Sequence, residues 1–82
     1  MHKKRIWLIT KRLEKNMTQT DVAKELGISN RAVSDYELGK RTPTGKIAYR
    51  LSKLLDFDME LFYKDQDQNE AENVSRKRGF GG

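Results

Sequence analysis

Apolar residues recur at helical spacing along most of the chain, and residues that start or stop helices separate the apolar stretches. The first stretch predicts a helix over about Lys3 to Lys15, ended by Asn16. Ile6, Ile9 and Leu13 fall on one arc of this helix and are its expected buried stripe. Two further apolar side chains lie off that arc: Leu8, for which core packing is favoured, and Trp7, which could also contact a partner.

The second helix is expected to begin after Thr18, a good N-cap, with Asp21 in the favourable first turn. Its buried stripe consists of Val22, Ala23 and Leu26. Gly27 should end it, because a sharp reversal after a helix usually needs a left-handed backbone conformation, which glycine adopts easily. Ile28 then fills the turn and Ser29 caps the next helix.

The third helix is predicted from Asn30 to Leu38, with Gly39 as its stop. At 100° per residue one arc is apolar, and it carries Ala32, Val33 and Tyr36. The opposite arc carries Leu38 and four side chains of the types that read base edges in the major groove, namely Asn30, Arg31, Ser34 and Asp35. Periodicity alone leaves an ordinary solvated face as an equal alternative.

After the loop GKRTP, Thr44 looks like the cap of a fourth helix to about Leu55, and Asp58 like the cap of a short fifth helix. Met59, Leu61 and Phe62 should point inward from the fifth. The predicted fold class is all-α, a compact bundle of five short helices in residues 1–64. Residues 65–82 change to a polar sequence that we expect to be a disordered tail.

Composition narrows the function classes. The 82 residues contain no cysteine and one histidine, His2. The chain therefore lacks the cysteine ligands of a thiolate metal site, and it has only this histidine for a Ser-His-Asp type of triad. Asp56, Asp58 and Glu60 are better explained by helix capping than by catalysis. We therefore expect neither an enzyme nor a cofactor or metal. The apolar run from Ile6 to Ile9 is too short for a signal peptide or membrane span, which predicts a cytoplasmic protein.

Charge favours a polyanionic partner. The chain carries 17 basic and 12 acidic residues, a formal net charge of +5. The excess belongs to residues 1–64, with fourteen basic and eight acidic side chains, whereas residues 65–82 carry three and four. A basic folded domain is the electrostatic footprint of a nucleic-acid-binding protein, although many basic surfaces bind nothing.

The stretch MTQTDVAKELGIS at positions 17–29, continued by NRAVSDYELGKRTP at 30–43, resembles the Cro and phage-repressor-type (XRE) helix-turn-helix family. The resemblance includes Thr-Gln at the start of the second helix and Ala-x-x-Leu-Gly-Ile-Ser at the turn. It also includes Tyr-Glu-x-Gly-Lys-Arg-x-Pro at the end of the third helix and in the loop that follows. With the flanking helices it covers roughly Ile6 to Phe62. It implies a lambda-repressor-like domain whose helix-turn-helix runs from Thr18 to Leu38. Gly45 and Asp56 depart from the family pattern, so both ends of the fourth helix are expected to be looser.

The resemblance also implies roles for matching positions. The base-reading set is Ser29, Asn30, Arg31 and Asp35, with Ser34 adjacent. The backbone-contacting set is Thr18, Gln19, Lys40, Arg41 and Thr42, with Lys46 as a weaker addition. Gly27, Val33 and Tyr36 should hold the geometry, while Arg12 and Glu37 are expected to pair between the first and third helices. The alternative for Glu37 is a surface pair with Arg41. Asp35, one helical turn after Arg31, is further hypothesised to orient its guanidinium.

The predicted function is a sequence-specific regulator of transcription that binds double-stranded DNA, more often a repressor in this family. One recognition helix contacts few base pairs, so a weak homodimer on a two-fold operator is expected, with half-sites about one DNA turn apart. Leu61 and Phe62 could form the dimer contact or belong to the monomer core. The alternative function is a protein-interaction module, such as an antitoxin or adaptor, that uses the fold as a scaffold.

Overall fold

The computed structural model describes residues 3–64. Its helices are α1 (Ile6–Glu14), α2 (Gln19–Leu26), α3 (Asn30–Leu38) and α4 (Gly45–Leu55), followed by a short α5 over residues 60–64. The all-α prediction with five short helices is confirmed. The predicted tail, with its Arg76-Lys77-Arg78 cluster, lies outside the described residues.

Local capping chemistry sets the bounds of α2 and α3. The Thr18 hydroxyl accepts a hydrogen bond from the Asp21 backbone N–H, and the Asp21 carboxylate accepts one from the Thr18 N–H, a reciprocal capping box. Gly27 ends α2 in the left-handed conformation, with φ of 69°. The Ser29 hydroxyl caps α3 by accepting from the Ala32 N–H at 3.0 Å. Both helices therefore begin and end where the sequence predicts.

One buried cluster joins the helices. Its members are the side chains that the structure shields almost fully from solvent, namely Leu8, Val22, Ala23, Leu26, Ala32, Val33, Tyr36, Ala48, Leu51, Leu55 and Phe62. Trp7, Phe57 and Phe62 extend it as an aromatic group, with each pair of rings in an edge-on arrangement at centroid distances of 5.2–5.6 Å. Phe62 is fully buried, so it belongs to the monomer core and is not available as a dimer contact.

The predicted buried stripe of α1 is wrong. Ile6 and Leu13 are 59% and 57% exposed, and Ile9 is half-buried. Leu8 lies in the core, and the buried arc of the helix continues through Arg12. Apolar periodicity missed this face because the arginine places a hydrogen-bonded head group, rather than a hydrocarbon side chain, against α3.

The start of α1 differs from the prediction, whereas α4 begins after Thr44 as predicted but lacks the expected capping hydrogen bond. α1 begins at Ile6 rather than near Lys3, because residues 3–5 follow the end of α3 instead: the Arg5 N–H donates to the Glu37 carbonyl at 2.8 Å. At α4, Thr44 occupies the N-cap position with an extended backbone, but its side chain makes no capping hydrogen bond. Within residues 3–64, none of the helices has the length and apolar character that crossing a bilayer requires.

Candidate nucleic-acid interface

The turn between α2 and α3 contains only residues 27–29. After Gly27 reverses the chain, the Ile28 N–H donates back to the Ala23 carbonyl at 3.0 Å and closes the end of α2. Ile28 packs against the core, and the cap at Ser29 then starts α3 at once. A short, closed turn of this kind fixes the angle between the two helices of a helix-turn-helix unit.

The outer face of α3 carries polar side chains. Asn30 and Arg31 are exposed, and the Arg31 side chain is 81% accessible, whereas Ser34 and Asp35 are half-buried. The Asn30 side-chain amide donates to the Thr20 hydroxyl at 2.8 Å, which links the start of α3 to the first turn of α2. Of the residues predicted to read bases, Asn30 and Arg31 are thus exposed in the first turn of α3, Ser34 and Asp35 lie further along the helix, and the Ser29 hydroxyl is engaged in its capping bond.

Asp35 lies between two arginines. One carboxylate oxygen is 3.6 Å from the Arg31 Nε, and the other is 3.6 Å from the Arg41 Nε. The Arg41 guanidinium also lies over the Tyr36 ring, 5.5 Å from its centroid. The hypothesised pair of Arg31 and Asp35 is therefore present, and sequence spacing gave no sign that the same carboxylate also reaches the loop after α3.

The loop after α3 presents cations. Lys40 and Arg41 are exposed, and both of their backbone N–H groups donate to the Asp35 carbonyl. Thr42 is half-buried, and Lys46 is exposed in the first turn of α4. Lys40, Arg41 and Lys46 are thus exposed cations that follow α3, and Arg41 lies beside its polar face through the contact with Asp35.

A buried ion pair braces α3 against α1. The Arg12 guanidinium donates to both oxygens of Glu37, with distances of 2.6 and 3.2 Å, and its remaining arm donates to the Met17 carbonyl at 2.9 Å. Glu37 is 3% exposed. The Gln19 side-chain amide also donates to Glu37, at 2.9 Å, so this side chain is directed inward at the start of α2. The Glu37 carboxylate thereby connects α1, α2 and α3.

Sequence reasoning missed Arg5. Its side chain is buried and donates to the Tyr36 and Arg41 carbonyls at 2.7 and 2.9 Å, and to the Thr42 hydroxyl at 2.6 Å. These partners lie more than 30 positions along the chain, so no local pattern marks the contact. An arginine just before a helix reads as an ordinary surface cation.

Asp21 has a lowered pKa. The first cause is the hydrogen bond from the Thr18 backbone N–H, followed by the bond to the Thr18 side chain, and the nearby positive charge of Lys24 acts in the same direction. Each favours the ionised carboxylate. Among the described residues, no group of three or more His, Cys, Asp or Glu side chains is arranged to hold a metal ion.

A tight two-helix unit, with a polar outer face on its second helix and a basic loop beside that face, has the architecture of a helix-turn-helix protein. The sequence profile of the helix-turn-helix family matches residues 8–62, and the chain belongs to this family. The profile covers all the residues of α2, α3 and the loop described above.

Curated relatives agree with this assignment. YqaE, an uncharacterized HTH-type transcriptional regulator of Bacillus subtilis, is 35% identical over 68 residues, which are 77% of this chain and 59% of YqaE. An uncharacterized HTH-type transcriptional regulator of Methanocaldococcus jannaschii is 35% identical over 54 residues, 65% of this chain and 82% of the relative. The ImmF control region 10 kDa protein of Bacillus phage phi105 is 39% identical over 51 residues, 62% of this chain and 57% of that protein. This chain therefore spans less than two thirds of the length of YqaE and of the phage protein. No solved structure matches the chain at a significant level.

Proposed function

We propose that the chain regulates transcription by binding a specific double-stranded DNA sequence, with α3 in the major groove. The observation that carries this proposal is the division of α3 into two faces. Ala32, Val33 and Tyr36 are buried, whereas the guanidinium of Arg31 extends into solvent on the opposite face. An exposed arginine can donate two hydrogen bonds to a guanine, and a neighbouring asparagine can pair with an adenine.

The residues proposed to read bases are Ser29, Asn30, Arg31, Ser34 and Asp35. Their roles differ. Asn30 and Arg31 are the direct readers, since both are exposed. Asp35 acts mainly by holding the Arg31 guanidinium, and the Ser29 hydroxyl is partly committed to its cap.

The DNA backbone is proposed to lie along two edges. One is the start of α2, at Thr18 and Gln19, where the N-terminal amides of a helix favour phosphate. Because the Gln19 side chain donates to Glu37, its backbone is the better candidate for that contact. The other is the loop after α3, with Lys40, Arg41 and Thr42, continued by Lys46. Such contacts place the protein on the duplex, and base contacts select the sequence.

We further propose a repressor that acts as a weak homodimer on a two-fold operator, by occupying promoter DNA. A single α3 reads too few base pairs for useful specificity, and two-fold pairing doubles the site. Sedimentation of the protein alone and on its selected site measures this part directly. A single bound monomer on the preferred site would contradict the dimer while leaving DNA recognition intact.

The central experiment selects preferred sites from randomised duplexes and then measures affinity across a salt series. We expect one sequence to be enriched, and log K to fall with log salt at about −0.9 per neutralised phosphate. Arg31→Ala should lower affinity for the selected site by about 5- to 150-fold, the effect of one good bidentate contact. Lys53→Ala, which removes a cation from α4, is the matched control and should change affinity little. Absent or salt-insensitive DNA binding would instead favour the interaction module.

A further inference from the structure

Arg5 connects the segment before α1 to the end of α3 and to the loop that follows. Its guanidinium donates to the carbonyls of Tyr36 and Arg41 and to the Thr42 hydroxyl, and it lies over the Phe62 ring at 5.3 Å. The backbone N–H of Arg5 donates to the Glu37 carbonyl. A single buried side chain therefore contacts the core, α3 and the loop together.

The loop is consequently held from two sides. At its start, the Lys40 and Arg41 N–H groups donate to the Asp35 carbonyl, and the Asp35 carboxylate faces the Arg41 side chain. Further on, Arg5 holds the Arg41 carbonyl and the Thr42 side chain. Arg41 is thus restrained at its N–H, its carbonyl and its guanidinium, so the exposed cations of the loop project from a fixed backbone.

Arg5 is 4% exposed, which places it out of reach of a phosphate. Any effect of Arg5 on DNA binding must therefore pass through the groups that it holds. Fixing a loop in its bound geometry before binding lowers the entropy lost when the complex forms, since each immobilised long side chain otherwise adds to that loss.

We propose that Arg5 is a positioning residue for DNA binding, which holds the loop of Lys40, Arg41 and Thr42 in the geometry that contacts phosphates. This proposal rests on the proposed function, in which that loop contacts the DNA backbone. Arg5 acts on the number of phosphate contacts and leaves base selection by α3 unchanged.

The test substitutes Arg5→Lys, which keeps the charge but loses the forked guanidinium. Arg50→Lys is the matched control, because Arg50 also donates through its guanidinium to two backbone carbonyls, those of Glu25 and Leu26, at the opposite end of α2 from Thr18. Affinities for the selected site and for a scrambled duplex are measured across a salt series, at a temperature where circular dichroism shows every variant to be folded.

For Arg5→Lys we expect the slope of log K against log salt to become shallower by about 0.9–1.8, the equivalent of one or two phosphates. Affinity should fall about 5-fold or more on both duplexes, with their ratio unchanged. Arg50→Lys should reproduce the wild-type slope. A merely structural role for Arg5 would lower the folded fraction, and it would not change the slope once every variant is folded.

Two results for Arg5→Lys would overturn the proposal. One is a wild-type slope, and the other is a changed ratio of the affinities for the two duplexes, which would show that the substitution alters base selection by α3. Should this variant not fold in buffer, the same salt series is run for it and for wild type in sucrose, an excluded osmolyte that favours the folded state, and equal slopes there would contradict the proposal. Wild-type protein without salt-dependent DNA binding would overturn the proposed function itself, which distinguishes the two failures.

Discussion

The Nε of Arg12 donates to an oxygen of Glu37 at 2.6 Å, and this bond joins α1 to α3. The pair is shielded from water, since the two side chains are 12% and 4% accessible. Glu37 also accepts from the Gln19 side chain, so all three N-terminal helices meet at one carboxylate. The orientation of α3 therefore depends on a polar contact as well as on apolar packing.

Removal of one partner should be strongly destabilising. Glu37→Ala leaves the Arg12 guanidinium without the carboxylate in a poorly hydrated site, and we expect a loss of about 3–5 kcal/mol in the free energy of unfolding. Urea denaturation followed by circular dichroism measures this loss. The double variant Arg12→Met with Glu37→Leu should recover much of the stability, because two apolar side chains replace both charges. A double variant as unstable as the sum of the single variants would contradict this explanation.

Some parts of the fold could be predicted from the sequence, and others, such as the contact of Arg12 with Glu37, could not be predicted from local patterns. The bounds of α2 and α3 follow from local signals, since Thr18, Gly27, Ser29 and Gly39 act on backbone groups only a few residues away. The buried face of α1 does not follow from apolar spacing, because an arginine occupies part of it.

The residues of the candidate site also divide into those that the sequence predicts and those that it does not. The polar face of α3 is visible in the sequence because helical geometry alone places Asn30 and Arg31 on one side. The contacts of Asp35 with Arg41, and of Arg5 with Thr42, depend on how the loop folds back, and the second joins residues 37 positions apart. Resemblance to a family supplied the pairing of Arg12 with Glu37, which spacing could not.

Gly39 and Gly27 should differ sharply in their tolerance of alanine. Both have positive φ, 77° and 69°, so either substitution is expected to cost about 1–2 kcal/mol in backbone strain. A Cβ on Gly27 would meet open space, whereas a Cβ on Gly39 would collide with the backbone carbonyl of Lys3. Gly39→Ala should therefore destabilise the protein clearly more than Gly27→Ala in thermal or urea unfolding. Equal losses would show that residues 3–5 can move away from α3 without cost.

The caps of α3 and α4 offer a second matched comparison. Ser29→Ala removes the hydroxyl that accepts from the Ala32 N–H and should lower the free energy of unfolding by about 1 kcal/mol. Thr44→Ala alters a residue at the same helix position whose side chain makes no capping bond. We expect a smaller loss there, measurable by the same urea titration. A loss at Thr44 as large as that at Ser29 would contradict the difference between the two caps.

The capping box of α2 predicts a pH dependence. Folding lowers the pKa of Asp21 because the Thr18 N–H donates to the ionised carboxylate. A carboxyl with a lowered folded pKa contributes stability above its unfolded pKa of about 3.9, and this contribution is lost as pH falls through the lower folded value. Asp21→Asn should therefore be less stable than wild type near neutral pH, and the difference should shrink on acidification below about pH 4. A difference that stayed constant from neutral pH to pH 2 would contradict this linkage.

We expect Asp35 to lower the affinity for DNA in general and to raise the preference for the selected site. Its carboxylate faces both Arg31, a proposed base reader, and Arg41, a proposed backbone contact. On that proposal Asp35 orders both side chains, while its own charge opposes the approach of phosphates. Asp35→Asn removes the charge but keeps the size, and should strengthen binding to scrambled duplexes while weakening the preference for the selected site. Asp56→Asn is the control, because it removes the same charge from an exposed carboxylate beyond the end of α4. Binding curves for both duplexes at several salt concentrations give the two effects separately. If Asp35→Asn has the preferred sequence and the selectivity of wild type, Arg31 needs no partner to read its base. Asp35 would then be removed from the proposed base-reading residues.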